Sequence, residues 1–237
     1  MIDFHTHILY GIDDGCKTIE ESINILKKYE KENIKHIVLT PHYIENSDFS
    51  ANNEIKEEIL KKLKDKIKEE NINVTLYLGN EIYITDNILE LIEKNEIKTI
   101  NDSKYILVEF PFINESSNTS DFIHNLILSG YIPVIAHPER YEYFSDISKI
   151  DQLLNLGAKL QINKDSLFGK YGKEPKKIVK KLLKERKVFI VGSDIHHETT
   201  KIYKSKKFEN KIKSLTDKKY CNEILYENGY DILNIKK

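Results

Sequence analysis

Five histidines and four acids, scattered over 237 residues, fall in short strings of metal-ligand type. The strings are His5-Thr6-His7, Asp13-Asp14-Gly15, Thr40-Pro41-His42, Gly79-Asn80-Glu81, Glu109, Ala136-His137-Pro138-Glu139-Arg140 and Ser193-Asp194-Ile195-His196. In a strand, side chains alternate between faces, so His-x-His puts both imidazoles on one side. Two imidazoles and a carboxylate from a neighbouring strand make a metal pocket. Glu109 lies inside the apolar run Leu107-Val108-Glu109-Phe110. A lone buried carboxylate costs several kcal/mol or shifts its pKa, so a nearby cation is the simplest account. Glu81 and Asp194 follow the same logic.

The candidate ligands are therefore His5, His7, Asp14, His42, Glu81, Glu109, His137, Asp194 and His196. With four carboxylates and five neutral imidazoles, two divalent ions balance the charge and a third leaves a positive pocket. Such a pocket suits a hydroxide nucleophile and a phosphate dianion. The mixed nitrogen and oxygen set accepts Mn²⁺, Fe²⁺ or Zn²⁺ without choosing. Other residues read as structural. His36 sits at the amino end of a strand, His124 on a helix, and His197 should point away from His196. Cys16 is a small packing residue. Asp3 should support His5 from behind, and only one of Asp13 and Asp14 should act as a ligand.

These strings need a scaffold that gathers them. Strand patterns occur at Ile2–His5, His36–Thr40, Val74–Leu78, Tyr105–Phe110, Ile132–Ala136, Ala158–Ile162 and Val188–Val191. Helical patterns lie between them: Thr18–Glu32, Asn53–Glu70, Asp86–Lys94, Ser120–Ser129, Asp146–Leu156 and Pro175–Glu185. Thr18 and Glu21 have capping-box spacing, and Asp86, Ser120 and Asp146 are candidate N-caps. A helical tail runs from Phe208 to Ile235 with a break near Gly229. Alternating strands and helices imply a parallel sheet with crossover helices. Seven repeats with no glycine-rich phosphate loop favour a distorted (βα)7 TIM-like barrel, as one α/β domain over residues 1–237. Six of the seven strands then deliver a ligand-type residue to the carboxyl-end mouth. The sixth strand offers only Gln161 and Asn163. The polar segments Asn46–Asn53 and Asn114–Ser120 should form the rim.

Composition narrows the function. The chain has 37 Lys and Arg against 38 Asp and Glu, a net charge of −1. That disfavours a nucleic-acid or membrane-surface binder. No apolar run approaches the ~20 residues of a membrane span. The segment Met1–His7 lacks the basic start and apolar stretch of a signal peptide. A cytoplasmic protein is expected, and its oligomeric state is left open. Two cysteines give no disulfide framework. Neither begins a C-x5-R phosphate loop, since Ser22 and Glu227 stand where the arginine would be. A G-x-S-x-G serine is absent as well.

Taken in order, the motifs resemble the PHP superfamily of metal-dependent phosphoesterases. Within it they are most similar to bacterial tyrosine phosphatases of the CpsB/YwqE type from capsule and exopolysaccharide operons. Besides the strings above, Met1-Ile2-Asp3, Gly79-Asn80-Glu81-Ile82-Tyr83, Asn101-Asp102-Ser103 and Leu167-Phe168-Gly169 carry the likeness. The resemblance implies a PHP barrel with three divalent ions, usually Mn²⁺. It implies hydrolysis of phosphotyrosine on a cognate tyrosine kinase that controls polysaccharide export. It assigns His5, His7, Glu81 and Asp194 to a first ion, and Glu81, Glu109 and His137 to a second. Asp14, His42 and His196 go to a third, and Arg140 grips phosphate. Two features depart from the pattern. The second arginine expected after Ser193-Asp194-Ile195-His196 is missing, leaving Lys201 or Lys204 as substitutes. The family's late Asn-Pro appears as Asn228-Gly229. The alternatives of the same fold are a small-molecule phosphatase such as histidinol-phosphatase, a nuclease, or a catalytically silent binding partner.

Overall fold

Among the described residues, nine short strands, paired in parallel throughout, build the wall. They are β1 (Ile2–Asp3), β2 (His36–Leu39), β3 (His42–Tyr43), β4 (Thr75–Leu78), β5 (Glu81–Tyr83), β6 (Tyr105–Glu109), β7 (Ile132–Ala136), β8 (Lys159–Asn163) and β9 (Ile190–Gly192). The computed structural model describes residues 1–202 and 204–236. Tyr203 and Lys237, which the expected span of 1–237 includes, lie outside the described residues.

The sequence suggests seven strands, and the wall has seven positions, but two of them are broken. The second breaks at Thr40-Pro41 and the third at Gly79-Asn80. Pro41 has no N–H to donate, and the Asn80 amide occupies the gap by donating to Pro41 O at 3.0 Å. Backbone bonds carry the wall across both breaks, from Gly79 N to Leu39 O and from Glu81 N to Pro41 O. His42 and Glu81 therefore open short second strands and do not trail off in loops. The ring closes where Phe4 N donates to Val191 O and Asp194 N to His5 O, with a parallel bridge from Thr6 to Ile195. This is a distorted (βα)7 TIM-like barrel.

The described residues form ten α-helical segments: α1 (Ile19–Lys31), α2 (Asn53–Glu69), α3 (Ile88–Glu93), α4 (Thr119–Leu128), α5 (Ile147–Asn155), α6 (Lys164–Phe168), α7 (Lys173–Lys184), α8 (Ser205–Leu215), α9 (Lys218–Asn222) and α10 (Asn228–Leu233). Thr18 caps α1 by accepting from Glu21 N, while Glu21 reaches past it to Lys17 N. Asp146 caps α5 through Ser148 N. Two expected caps are corrected. Asp86 precedes the Asn87 cap of α3 and instead accepts from the Asn118 amide, joining two rim loops. Ser120 lies inside the first turn of α4, which starts one residue earlier behind Asn118. The break in the tail falls at Thr216, not at Gly229. Gly229 is helical because α10 lies hard against the barrel. A Cβ there would stand 2.6 Å from Ile2 and 2.7 Å from Phe4.

The strands' alternation divides the core. Ile37, Leu39, Ile106, Val108, Leu160 and Ile162 face the helices. Val38, Leu107, Val134, Ala136 and Ile190 face inward and pack with Ile2, Phe4 and the α10 residues Ile232 and Leu233. The amino-end half of the interior is thus dry and plugged by the tail. Toward the carboxyl ends of the strands the interior becomes polar. On β6, Leu107 is inside the apolar plug, and Glu109 lies above it at the mouth.

Candidate metal centre

All nine candidate ligands meet at the carboxyl-end mouth. Glu81 is at the middle. Its Oε2 lies 3.0 Å from His5 Nε2, 3.2 Å from His7 Nε2 and 3.2 Å from His42 Nδ1, and its Oε1 lies 2.9 Å from His137 Nε2. Asp194 Oδ1 is 3.5 Å from both His7 Nε2 and His196 Nδ1. Glu109 reaches His137 Nε2 at 3.6 Å and His42 Nδ1 at 3.7 Å. Asp14, on the outer lip, lies 3.4 Å from His196 and 3.7 Å from His42. Three sets of donors converge closely enough to hold an ion: His5, His7, Glu81 and Asp194; His42, Glu81 and Glu109; and His7, Asp14, His42 and His196. The first set coincides with the one implied by the resemblance. In the second, His42 stands beside Glu109, with His137 on the other Glu81 oxygen. The third gains His7.

Neighbouring side chains orient these donors. Gln161 Oε1 accepts from His5 Nδ1 at 2.8 Å, and Asp13 Oδ2 accepts from His7 Nδ1 at 2.7 Å. Both bonds turn the ring's Nε2 toward the centre. Gln161 also donates to Asn163, which donates to Asp194 Oδ2. The strand without ligands is therefore the one that aligns two of them. Sequence reasoning noted Gln161 and Asn163 but gave them no part. Their period-two placement, on the face opposite Leu160 and Ile162, is the available signal. Asp13 also accepts from His42 N, and Asp14 is the outward member of the pair, so the two aspartates divide the roles. Asp3 touches no imidazole. It accepts from Ser193 N, Tyr29 OH and His5 N, so it holds the backbone behind the histidines. His137 and Asp194 both adopt left-handed backbone, with φ of 32° and 55°. Strain of this kind costs about 1–3 kcal/mol and collects at functional sites.

The donor set fits divalent cations on a structural observation. Glu81 Oε2 is buried within 3.2 Å of three imidazole nitrogens yet forms no hydrogen bond. His42 Nδ1, which faces that oxygen at 3.2 Å, is also buried without a hydrogen-bond partner. Lone pairs aimed at a common point call for a cation. Titration is displaced accordingly. Burial, Glu81 and Asp194 push the Glu109 carboxyl up to about 9. Burial opposes charge on His7, but Asp13 beside it raises the ring well above its ordinary value. Burial would raise Glu81 too, and His5 and His42 overcome it, holding the carboxyl well below the usual range.

Arg140 stands at the same mouth. Its guanidinium donates to Asp194 Oδ2 at 2.8 Å and lies 4.6 Å from the rings of both Phe112 and Tyr171. Phe49 stacks near His42, so the 46–53 segment does reach the rim. Phe112, just before the second polar segment Asn114–Ser120, also reaches the site. His36 pairs with Tyr77 at the amino end of its strand, and His124 and His197 are exposed. Cys16 is buried with its thiol pushed up to about 11 by burial, which suits packing and not nucleophilic attack.

A family model described as "Capsular polysaccharide synthesis, CpsB/CapC" matches residues 1–234. The chain belongs to the CpsB/CapC family. CapC of Staphylococcus aureus is 37% identical over 211 residues, covering 89% of this chain and 82% of that protein. The tyrosine-protein phosphatase YwqE of Bacillus subtilis (strain 168) is 34% identical over 202 residues, covering 85% and 79%. A chain from the crystal structures of YwqE from B. subtilis and CpsB from Streptococcus pneumoniae, described as unique metal-dependent tyrosine phosphatases, superimposes with a TM-score of 0.88. It is 29% identical and covers 100% of this chain and 96% of that one. Family membership, fold and the clustered donors thus agree. Among the described residues no helix is long and apolar enough to cross a membrane.

Proposed function

We propose that this CpsB/CapC protein is a metal-dependent protein-tyrosine phosphatase, a phosphoric monoester hydrolase. Its substrate is a phosphotyrosine protein, the cognate tyrosine kinase of a capsular or exopolysaccharide system, and it acts in the cytoplasm through one domain. The observation that carries the reading is Glu81 among His5, His7, His42 and His137 with Arg140 at the same mouth. The relatives' names as tyrosine phosphatases favour this substrate over histidinol phosphate.

The nine candidate ligands would hold three divalent ions, with Mn²⁺ preferred and Fe²⁺ or Zn²⁺ compatible with the same donors. When bound, such ions supply Lewis acidity that activates water and offsets phosphoryl charge. The chain's own groups do the rest. Arg140 presents its free N–H groups to the phosphate as charge-assisted donors. Phe112 and Tyr171 hold the guanidinium plane, and Asp194 fixes its direction. Gln161 and Asp13 keep the Nε2 atoms of His5 and His7 pointed inward. A phenol leaving group, with a pKa of about 10, departs with little protonation. Elemental analysis of protein purified without chelator, paired with turnover of a phosphotyrosine peptide and of histidinol phosphate, tests the reading. Three equivalents of divalent ion and preference for the peptide are expected. Metal-free protein that refuses Mn²⁺, or preference for histidinol phosphate, overturns it.

A further inference from the structure

The net charge of −1 hides a strong polarity. Residues 170–219 hold 17 of the 37 Lys and Arg but 6 of the 38 Asp and Glu. The charge total alone suggested no basic track, and the fold reveals one. On α7, Lys173, Lys176, Lys177, Lys180, Lys181 and Lys184 recur every three or four residues, which places them along one side of the helix. Ile178, Val179, Leu182 and Leu183 form the buried side. α8 packs against α7 and adds exposed Lys206 and Lys207. Among the described residues, the α7 lysines have two ion pairs, both long: Lys177 with Glu174 at 3.7 Å and Lys181 with Glu185 at 3.9 Å. On α2, by contrast, Lys62 meets Glu58 at 2.6 Å and Lys66 meets Glu69 at 3.2 Å. Lysines brought this close with only two distant acids among them repel one another, and the protein retains them at a cost.

The stripe starts at the active-site mouth. Gly172 caps α7, and the preceding residue, Tyr171, stacks on Arg140 at 4.6 Å. Twelve helical residues span about 18 Å, the reach of five or six extended residues. We propose that α7, continued by α8, docks an acidic polypeptide segment lying within about six residues of the phosphotyrosine. This rests on the phosphatase reading and adds the chemistry of the substrate's flanks. The track is narrow and begins where a single phosphorylated side chain would be gripped. That shape favours an extended polypeptide over a bilayer or a duplex.

The test uses the metal-loaded full chain and three phosphotyrosine peptides with acidic, neutral or basic flanks, beside p-nitrophenyl phosphate. Two triple variants at Lys176, Lys180 and Lys184, one to Glu and one to Gln, report on the stripe. At about 50 mM salt the native protein should favour the acidic peptide over the neutral one by roughly tenfold in kcat/KM, through KM. The preference should shrink at about 0.5 M salt, where the Debye length falls to a few Å. Both variants should lose it while p-nitrophenyl phosphate turnover stays unchanged, which also shows that they fold. Equal kcat/KM on all peptides, or a preference that survives both variants, overturns the proposal. So does tighter binding to phosphatidylglycerol vesicles or a single-stranded oligonucleotide that the same variants abolish. Fluorescence anisotropy with the unphosphorylated acidic and neutral peptides keeps the two readings apart. If no phosphotyrosine is hydrolysed but the acidic peptide still binds through the lysines, the phosphatase reading fails and the docking surface stands. Equal binding of both peptides overturns the docking surface by itself.

Discussion

Glu81 touches four histidines, two from the β1 extension and one each from two other strand positions, and no hydrogen bond satisfies its inner oxygen. That single atom shows why donor type was readable and donor direction was not. A glutamate after Gly79-Asn80 announces a ligand by chemistry. The direction in which it points depends on Pro41 and Asn80 breaking two strands side by side. Two residue-level outcomes follow. Gln161→Leu, which frees the His5 ring, should weaken metal affinity by about 10–100-fold. Metal titration checks it, and an unchanged affinity would remove Gln161 from the positioning role. Arg140→Ala should lower kcat/KM on phosphotyrosine roughly 100-fold, in line with about 1.5–3 kcal/mol for hydrogen bonds to a charged group. Metal content should stay near native, since Asp194 keeps its bond to Asn163.

Among the elements, the tail shows how a local signal can mislead. Gly229 reads as a helix break because glycine is a poor helix former. The structure uses its missing Cβ for close approach to Ile2 and Phe4. Gly229→Val should therefore overpack the barrel floor and cost about 1–3 kcal/mol. The melting temperature should drop by several degrees, and activity below that temperature should persist because the plug lies at the end opposite the ligands. A melting temperature equal to the native value would mean that α10 does not seal the barrel. Contacts between rim loops explain why Asp86 and Ser120 failed as caps. Both are good cap residues, but rim-loop contacts drew Asp86 to Asn118 and set the start of α4 at Thr119.

For the whole molecule, the clustered charge links metal binding to protons. The Glu109 carboxyl sits at about 9, and His5 and His7 are raised above their ordinary values. At neutral pH the cluster without ions keeps protons that a cation must displace. Metal uptake should thus release protons, and affinity should climb with pH toward about 9. Calorimetry in buffers of differing ionisation enthalpy reads the released protons directly, and a buffer-independent heat would contradict the account. Ions that bind only the folded chain also stabilise it, by about 2.7 kcal/mol at a hundredfold excess over Kd. Chelator should lower the melting temperature by a matching amount.

Composition, periodicity and ligand-type residues are local properties, so the sequence alone determined the alternating α/β order, the barrel class and nine candidate donors. Chemistry that depends on side chains meeting across the barrel was decided only by the tertiary structure. His42 approaches Glu109, Gln161 and Asp13 steer two imidazoles, and the lysine stripe of α7 begins at the mouth beside Arg140. Each of these depends on where neighbouring strands break and how the ring closes. Those contacts join residues as far apart as His5 and Gln161, whose distance in space no local pattern encodes.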